Sequence, residues 1–307
     1  MSVILAVISI CLLLLQMDSR TLLDFDYTNC RQVGSETTCH SRIDNLMSVN
    51  ESVKSPCLCR INFELKSDEV ASQINVYYGL KNYYQNYRFL AQSLDPSQLS
   101  GRIRSTQREC QPSKTQDNKT VLPCGSLANA MFDDDFRLKK QNVTFNMVKD
   151  DIVLKGARGY LYKNPDDLDS VRYSSVSPPR WYRSLWSLDP SSLANTGLEN
   201  GHFINWMKVA MFGDFFKLYA IIRSDSGQLK LTRGVYDLDI DYRYGVFKYG
   251  GRKFVRIEKI GITGVKNNTF IVSLSLLSLV YFSISVVITF FFWKRWAYLV
   301  QDPGHVP

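Results

Sequence analysis

The chain has 307 residues and a formal net charge of +8; 45% of its residues are hydrophobic and 21% are charged. This composition excludes a disordered or low-complexity chain, because it supplies enough apolar surface for a packed core. The apolar residues are unevenly distributed, and residues 270–293 contain no charged side chain. A helix over that segment is about 36 Å long and can cross a bilayer core of about 30 Å, which argues against a cytosolic soluble protein.

A shorter apolar segment, residues 3–15, opens the chain. At about 1.5 Å per residue it is short for a membrane span, and two interpretations stay open. Its length is typical of a signal-peptide core, although it lacks a preceding basic residue and a following small-residue cleavage site. Alternatively, it is the second half of a transmembrane helix. We therefore assign residues 1–17 as a partial first transmembrane segment or a signal-like segment.

Six of the seven cysteines lie between the two apolar segments; the exception is Cys11. The six are Cys30, Cys39, Cys57, Cys59, Cys110 and Cys124. An even number in one polar region favours a disulfide framework formed in an oxidising compartment. The competing interpretation is a zinc site, but one residue rather than two separates Cys57 from Cys59, and His40 is the only histidine nearby.

The same region carries four N-x-[ST] sequons, which favour lumenal or extracellular exposure. They begin at Asn50, Asn118, Asn142 and Asn267. Because Asn267 directly precedes the second apolar segment, we predict N-glycosylation at the first three only. The predicted organisation is a lumenal or extracellular ectodomain over residues 18–268, a second transmembrane helix over 269–293 and a short cytosolic tail over 294–307.

Within the ectodomain, residues 74–80 predict a strand, and the spacing of the following aromatic residues predicts a helix that ends before Pro96. The tyrosines between positions 77 and 87 are interpreted as buried core, although they could also form a sugar-binding platform. Residues 113–120 and 164–179 are polar and predict surface loops.

Residues 203–222 are apolar enough to be considered as a third membrane span, but they include Lys208, Asp214 and Lys217. Each such charge costs about 2.5–3.5 kcal/mol at a bilayer centre, so a buried helix followed by a strand is the better prediction. Residues 236–244 alternate between apolar and charged, as in a half-buried antiparallel strand, and Gly250 and Gly251 predict a hairpin turn into a strand at 253–257. The predicted fold is an antiparallel β-sandwich with helical and loop extensions.

The sequence offers no candidate catalytic, cofactor-binding or metal-binding residue. Its three histidines are scattered, and no glycine-rich phosphate loop follows a strand. The run Asp133, Asp134 and Asp135 lacks the alternating oxygen ligands of a calcium loop, so we expect a solvated loop or helix end. Basic residues are dispersed through the chain, which argues against nucleic acid as a partner.

Four blocks in a fixed order make the sequence resemble a known family. Residues 76–88, continuing to 98–101, resemble the family's YYGL-N-[FY]-YQN-x-R…QL-x-G block. Residues 123–132, residues 203–219 and residues 251–253 resemble three further blocks. The chain is thereby similar to the cell cycle control protein 50 family, also called transmembrane protein 30 or ligand-effect modulator 3. Its members are accessory beta subunits of type IV P-type ATPases, the phospholipid flippases.

This resemblance implies a membrane protein with two transmembrane helices, the first apparently truncated, flanking a mainly-β ectodomain. It implies a heterodimer with the catalytic alpha subunit of such an ATPase, in contact with membrane lipids, in the endoplasmic reticulum, Golgi, endosomes or plasma membrane. The subunit itself would not be an enzyme and would support the partner's folding, exit from the endoplasmic reticulum and lipid transport. The resemblance also implies nested disulfides, Cys30 with Cys59 and Cys39 with Cys57, and a third between Cys110 and Cys124.

Some features depart from the family pattern, and the composition is also compatible with other functions. Relatives carry a cytosolic N-terminal tail and a full first span, whereas this chain begins inside the apolar stretch. The density of aromatic residues also fits a membrane-anchored glycoprotein receptor or carbohydrate-binding module, with Tyr84 and Tyr87 as contact residues. A lumenal hydrolase is the weakest alternative, because no set of catalytic residues supports it.

Overall fold

The computed structural model describes residues 7–8, 11–12, 14, 18–48, 55–103, 110, 114–190, 192, 194–224, 227–261 and 268–301. The chain divides into two units. One consists of Thr21–Glu258, and the other combines Met1–Arg20 with Lys259–Pro307.

Thirteen strands run through the described residues. They are β1 (Arg20–Asp26), β2 (Cys57–Leu65), β3 (Glu69–Ala71), β4 (Gln73–Lys81), β5 (Thr115–Gln116), β6 (Lys119–Val121), β7 (Asp135–Lys140), β8 (Val143–Thr144), β9 (Ser175–Val176), β10 (Phe215–Ile222), β11 (Leu229–Leu231), β12 (Gly234–Tyr242) and β13 (Arg252–Ile260).

The α-helices of the Thr21–Glu258 unit are short. In the described residues they are α1 (Cys39–Ser48), α2 (Arg88–Ala91), α3 (Pro96–Leu99), α4 (Ser126–Asn129), α5 (Leu168–Ser174) and α6 (Gly201–Met207). The other unit contains one long helix, α7 (Asn268–Gln301).

Two four-stranded sheets dominate the larger unit, with strand orders β1-β13-β4-β10 and β2-β12-β7-β8. In the second sheet β12 pairs antiparallel with both β2 and β7, and in the first β10 pairs antiparallel with β4. A small three-stranded sheet, β5-β6-β9, includes the parallel pair of β6 with β9. The prediction of a mainly-β region with antiparallel sheets is confirmed.

Both large sheets contribute to one hydrophobic core, as in a β-sandwich. Val76 of β4 and Ile257 of β13 come from the first sheet, and Leu238 of β12 comes from the second; all three are fully buried. An edge-to-face ring contact between Phe136 of β7 and Tyr219 of β10, with 4.8 Å between ring centroids, joins the two layers. Such contacts stabilise the packing beyond the area that they bury.

Two local predictions are wrong. The strands on either side of Gly250 and Gly251 do not form a hairpin, because β12 and β13 belong to different sheets. The residues between them instead include a 3-10 turn at Phe247–Tyr249 that carries the chain from one layer to the other. Similarly, residues 82–87 are not helical, and only Arg88–Ala91 form a helical turn. The helical spacing of Tyr83, Tyr84 and Tyr87 was misleading, because these tyrosines lie in a loop and do not form one face of a helix.

Residues 203–222 do form a buried helix followed by a strand, as predicted, namely α6 and β10. The structure shows how this segment accommodates a lysine. The Nζ of Lys217 donates hydrogen bonds of 2.9, 2.8 and 2.6 Å to the carbonyl oxygens of Asn205, Trp206 and Lys208. Carbonyl groups at a helix C-terminus have no partner within the helix, and a cation there is favourable.

The unit formed by Met1–Arg20 and Lys259–Pro307 contains α7. Among the described residues, Thr269–Trp296 is the one stretch of helix long and apolar enough to cross a membrane. Most of the first apolar segment lies outside the described residues, and those described at positions 7, 8, 11, 12 and 14 are helical. Lys259 Nζ lies 2.5 Å from Asp18 Oδ1 in this unit.

Candidate functional site

The six cysteines of the larger unit form three disulfides. Cys30 pairs with Cys59, Cys39 pairs with Cys57, and Cys110 pairs with Cys124, the pairs that the resemblance implies. The first two attach the start of α1 and the segment before it to β2. Cys11 is free and exposed.

One group of side chains has the composition of a metal site. Asp95 lies close to Cys110 and Cys124. Both sulfurs are joined in a disulfide, however, and Asp95 Oδ1 accepts hydrogen bonds from the backbone N–H groups of Ser97 and Gln98 at the start of α3. A cysteine binds zinc as the thiolate, which a disulfide does not provide, so this group acts as a structural staple and helix cap.

Two of the predicted glycosylation sites lie at the tips of hairpins. Asn118 is exposed in the turn between β5 and β6, with a φ of 61°. Asn142 is exposed in the turn between β7 and β8. Asn50 and Asn267 lie outside the described residues. Exposed hairpin tips are accessible to a modifying enzyme.

The surroundings of Asp133, Asp134 and Asp135 differ most from what the sequence predicts. Asp134 is buried, and its Oδ2 lies 2.6 Å from the Nζ of Lys253, whose side chain is fully buried. The Oδ2 atom also accepts a hydrogen bond of 2.9 Å from the hydroxyl of Tyr27. The Oδ1 atom accepts hydrogen bonds of 2.6 and 2.7 Å from the backbone N–H groups of Arg243 and Tyr244. Asp134 therefore ties β13 of one sheet to the end of β12 in the other.

Asp135, the first residue of β7, is surrounded by cations and hydroxyl groups. The nitrogen atoms of Lys149, Arg183 and Arg243 lie 3.6, 3.1 and 3.5 Å from its carboxylate oxygens. The hydroxyl groups of two tyrosines, Tyr182 and Tyr219, donate hydrogen bonds to it at 2.9 and 3.1 Å. Burial acts to raise the pKa of Asp135, but Lys149 and Arg183, together with the Tyr182 hydroxyl and Arg243, outweigh burial and hold the pKa well below its ordinary value.

Asp133 differs from both neighbours. In the part of the chain that the structure describes, no side chain or backbone group donates a hydrogen bond to its carboxylate. Burial and the adjacent Asp134 raise the pKa of Asp133 to about 7. The expectation of a solvated loop is wrong for Asp134, which is buried, whereas Asp133 and Asp135 are partly exposed. We call Asp133, Asp134 and Asp135 the aspartate cluster.

The aspartate cluster lines a cavity of about 50 Å³. Residues on the cavity wall include Lys149, Trp181, Arg183, His202 and Tyr219. Burial, followed by Lys149, lowers the pKa of His202 to about 3, so its imidazole is neutral. Its buried Nε2 has no hydrogen-bond partner among the described residues. A cavity of this size accommodates a few water molecules rather than an organic substrate.

A second feature is a group of exposed apolar side chains on two neighbouring loops, residues 82–87 and 208–214, and on the start of α2, which follows the first loop. We call them the aromatic platform. Its members are Tyr84, Tyr87, Phe89, Met211 and Phe212, each at least 60% exposed. The interpretation of the tyrosines at 77–87 as buried core is therefore wrong for two of them, whereas Tyr78 is buried.

Hydrogen bonds hold the two loops of the aromatic platform together. The backbone N–H of Tyr83 donates to the carbonyl of Gly213 at 2.8 Å, and the Asn86 side chain donates to the carbonyl of Met211 at 2.9 Å. Buried Gln85 accepts a hydrogen bond of 3.0 Å from the backbone N–H of Ala210. The exposed side chains are therefore presented on a fixed backbone, an arrangement that lowers the entropy cost of binding.

Comparison with known proteins shows to which family the chain belongs. A model of the LEM3 (ligand-effect modulator 3) family / CDC50 family matches residues 13–297. The chain belongs to this family. Among CDC50-family proteins, cell cycle control protein 50B of Homo sapiens is 31% identical over 259 residues, which cover 80% of this chain and 72% of that protein.

Two further relatives are covered over less of their own length. Cell cycle control protein 50A of Mus musculus is 33% identical over 225 residues, 69% of this chain and 62% of that protein. The phospholipid-transporting ATPase accessory subunit CRF1 of Saccharomyces cerevisiae is 31% identical over 249 residues, 76% of this chain and 57% of that protein. The chain thus spans less than two thirds of the length of the 50A proteins of mouse and rat.

The family block at residues 251–253 includes Lys253, but the sequence indicated neither a role for this lysine nor its ion pair with Asp134. The two residues are 119 positions apart, and no local pattern marks such a pair. The one available signal was a lysine within an apolar strand pattern, because a buried lysine requires a partner.

Proposed function

We propose that this chain is a non-catalytic accessory subunit of a phospholipid-translocating P-type ATPase. In this role it supports the partner's folding and exit from the endoplasmic reticulum, and lipid transport from the exoplasmic to the cytosolic leaflet. The observation that carries the proposal is the CDC50-family match over residues 13–297, together with the similarity to the yeast phospholipid-transporting ATPase accessory subunit. The apolar helix α7 supplies the membrane segment that a subunit of a membrane ATPase needs.

The proposed topology places residues 18–268 in the lumen or outside the cell, with residues 1–17 and 269–293 as membrane segments and 294–307 in the cytosol. Three disulfides and two exposed sequons support it. We expect treatment with an endoglycosidase to increase the gel mobility of the full chain. Replacing Asn118 and Asn142 by Gln should reduce that shift, and an unchanged mobility of the unsubstituted chain would contradict the topology.

Co-purification tests the proposed partnership. The full chain, carrying an affinity tag, is extracted from its own cells in mild detergent, and the co-eluting proteins are identified by mass spectrometry. We expect a type IV P-type ATPase in near-stoichiometric amount. Recovery of the intact glycosylated chain with no P-type ATPase would refute the proposal.

Within this proposal, the aromatic platform is the surface that we assign to contact with the ATPase. Aromatic and methionine side chains are enriched at the centres of protein interfaces, and a fixed exposed apolar group is unfavourable unless it is covered. Replacing Tyr87 and Phe212 by Ala should lower the recovered ATPase at least tenfold. Tyr160→Ala is the matched control, since this tyrosine is 80% exposed and lies outside the platform.

The alternative function, carbohydrate binding, uses the same surface and makes a different prediction. If the platform binds glycans, the full chain should retain oligosaccharides on an array and lose them when Tyr84 or Tyr87 is replaced by Ala. ATPase recovery would then be unaffected by the same substitutions. That combination of results would overturn the assignment of the platform to the ATPase.

A further inference from the structure

We propose that Lys217 is the positioning residue of the aromatic platform. From β10, its side chain fixes the start of the loop at residues 208–214, and with it the place at which Met211 and Phe212 meet the partner. The inference rests on the proposed function, because the platform is assigned there to contact with the ATPase. It adds the buried side chain that prepares this contact.

Lys217 is a buried lysine whose contacts are almost all with the main chain. It is 7% exposed and pairs with Tyr78 of β4. Its Nζ donates hydrogen bonds to three backbone carbonyl groups, those of Asn205, Trp206 and Lys208, at 2.9, 2.8 and 2.6 Å. Within the part of the chain that the structure describes, no carboxylate forms an ion pair with it. An ammonium group has three N–H donors, so each of them is used to hold backbone.

The three carbonyl groups lie where α6 ends and the loop at 208–214 begins. Lys208 is the first residue of that loop, and Met211 and Phe212 of the platform follow within four positions. The last carbonyl groups of a helix have no partner within the helix, and here the cation supplies it. The first residue of the loop is thereby attached to β10.

The same attachment point also holds the other loop of the platform. The Nε2 of buried Gln85 donates to the Trp206 carbonyl at 3.3 Å, and its Oε1 accepts from the backbone N–H of Ala210 at 3.0 Å. The Trp206 ring is fully buried, and its indole N–H donates to the carbonyl of Leu127 at 2.7 Å. Lys217 and Gln85 thus converge on one carbonyl group that is fixed in the core.

Replacing Lys217 by Met removes the three donors and keeps an unbranched side chain. The three carbonyl groups then lose their partner, and the start of the loop moves to reach water, whereas the pairing of β10 with β4 is retained. A partner that binds the platform must order the loop as it binds, which weakens binding although every contact residue is still present.

Hydrogen–deuterium exchange of the full chain in detergent tests the positioning without any ATPase. Burial, followed by Lys208, lowers the pKa of Lys217 to about 7, so the measurement is made at pH 6, where the amine is protonated. We expect Lys217→Met to accelerate exchange of residues 208–214 by about tenfold and to leave exchange in β12 unchanged. Lys230→Met, in an exposed pair with Asp68, is the control and should change neither.

Co-purification at the same pH tests the link to the partner. We expect Lys217→Met to lower the ATPase recovered per amount of chain by about fivefold, because the platform is no longer held in its binding conformation. If Lys217→Met does not fold, Lys217→Gln serves in its place. Its amide keeps two N–H donors, so the increase in exchange should be smaller and still confined to residues 208–214.

Unchanged exchange at residues 208–214, or faster exchange throughout the Thr21–Glu258 unit, would overturn the inference. Faster exchange of the loop together with unchanged recovery of the ATPase would overturn it as well. Absence of the ATPase from the unsubstituted chain would instead refute the proposed function, and the exchange result would still decide whether Lys217 positions the loop.

Discussion

The pair of Lys253 and Asp134 is the residue-scale feature on which the joint between the sheets depends. Both side chains are fully buried, and burying an ion pair is favourable only when geometry and hydrogen bonds compensate the lost hydration. Here the remaining polar atoms are used: Lys253 also donates to the carbonyl of Tyr244, and Asp134 accepts from Tyr27 and two backbone groups.

Lys253→Met should therefore destabilise the larger unit by about 3–5 kcal/mol, because it leaves the Asp134 carboxylate buried without its cation. The double variant Lys253→Met with Asp134→Asn should be less destabilised, since the neutral amide oxygen can still accept the backbone hydrogen bonds. Urea unfolding of the full chain in detergent measures both. Lys230→Met is the control, as its pair with Asp68 is exposed; equal losses for Lys230→Met and Lys253→Met would contradict this account.

The sequence could predict that Lys253 needs a partner but not which partner, because Tyr27, Asp134 and Tyr244 come from three distant segments. Likewise, the exposure of Tyr84 and Tyr87 depends on a neighbouring loop that joins theirs through Asn86 and Met211. Tyrosine is common both in cores and at interfaces, so composition alone does not distinguish the two.

At the scale of elements, alternation predicted β12, and the structure explains why its polar residues are aspartates. Asp239 of β12 bonds Arg60 of β2 at 2.6 Å and Lys139 of β7 at 2.8 Å, and Asp241 bonds Arg137 at 2.7 Å. Cross-strand pairs of opposite charge stabilise a sheet. The pattern revealed the strand but not its neighbours, and the predicted hairpin failed because a glycine pair permits a turn without fixing which sheet the next strand joins.

The disulfide between Cys110 and Cys124 makes a prediction at the same scale. It closes a loop with a sequence separation of 14, and cross-linking a loop of this size stabilises a fold by about 3 kcal/mol. Replacing both cysteines by Ser should lower stability by about that amount in thermal or urea unfolding. Cys11→Ser should have no effect, because Cys11 is free. A loss below about 1 kcal/mol for the double variant would show that the staple contributes little.

At the scale of the whole molecule, the sequence predicted a mainly-β region with antiparallel sheets and one apolar helix able to span a membrane. Both follow from strong local sequence patterns. In a half-buried strand apolar and polar residues alternate with a period of two, and a membrane span is a long run of apolar, uncharged residues. The aspartate cluster and the aromatic platform arise only when distant segments pack together, so no local sequence pattern predicts them and only the structure shows them.

The most direct test of the central claim measures lipid transport. A type IV P-type ATPase is expressed in cells that lack this chain and its relatives, alone or with the chain, and uptake of a fluorescent phospholipid is followed. We predict that the ATPase stays in the endoplasmic reticulum without the chain, and that the chain restores both its exit and ATP-dependent inward transport. The experiment is repeated with each type IV P-type ATPase found in the cells that produce this chain. If the chain changes neither exit from the endoplasmic reticulum nor lipid transport for any of them, the proposed function is contradicted.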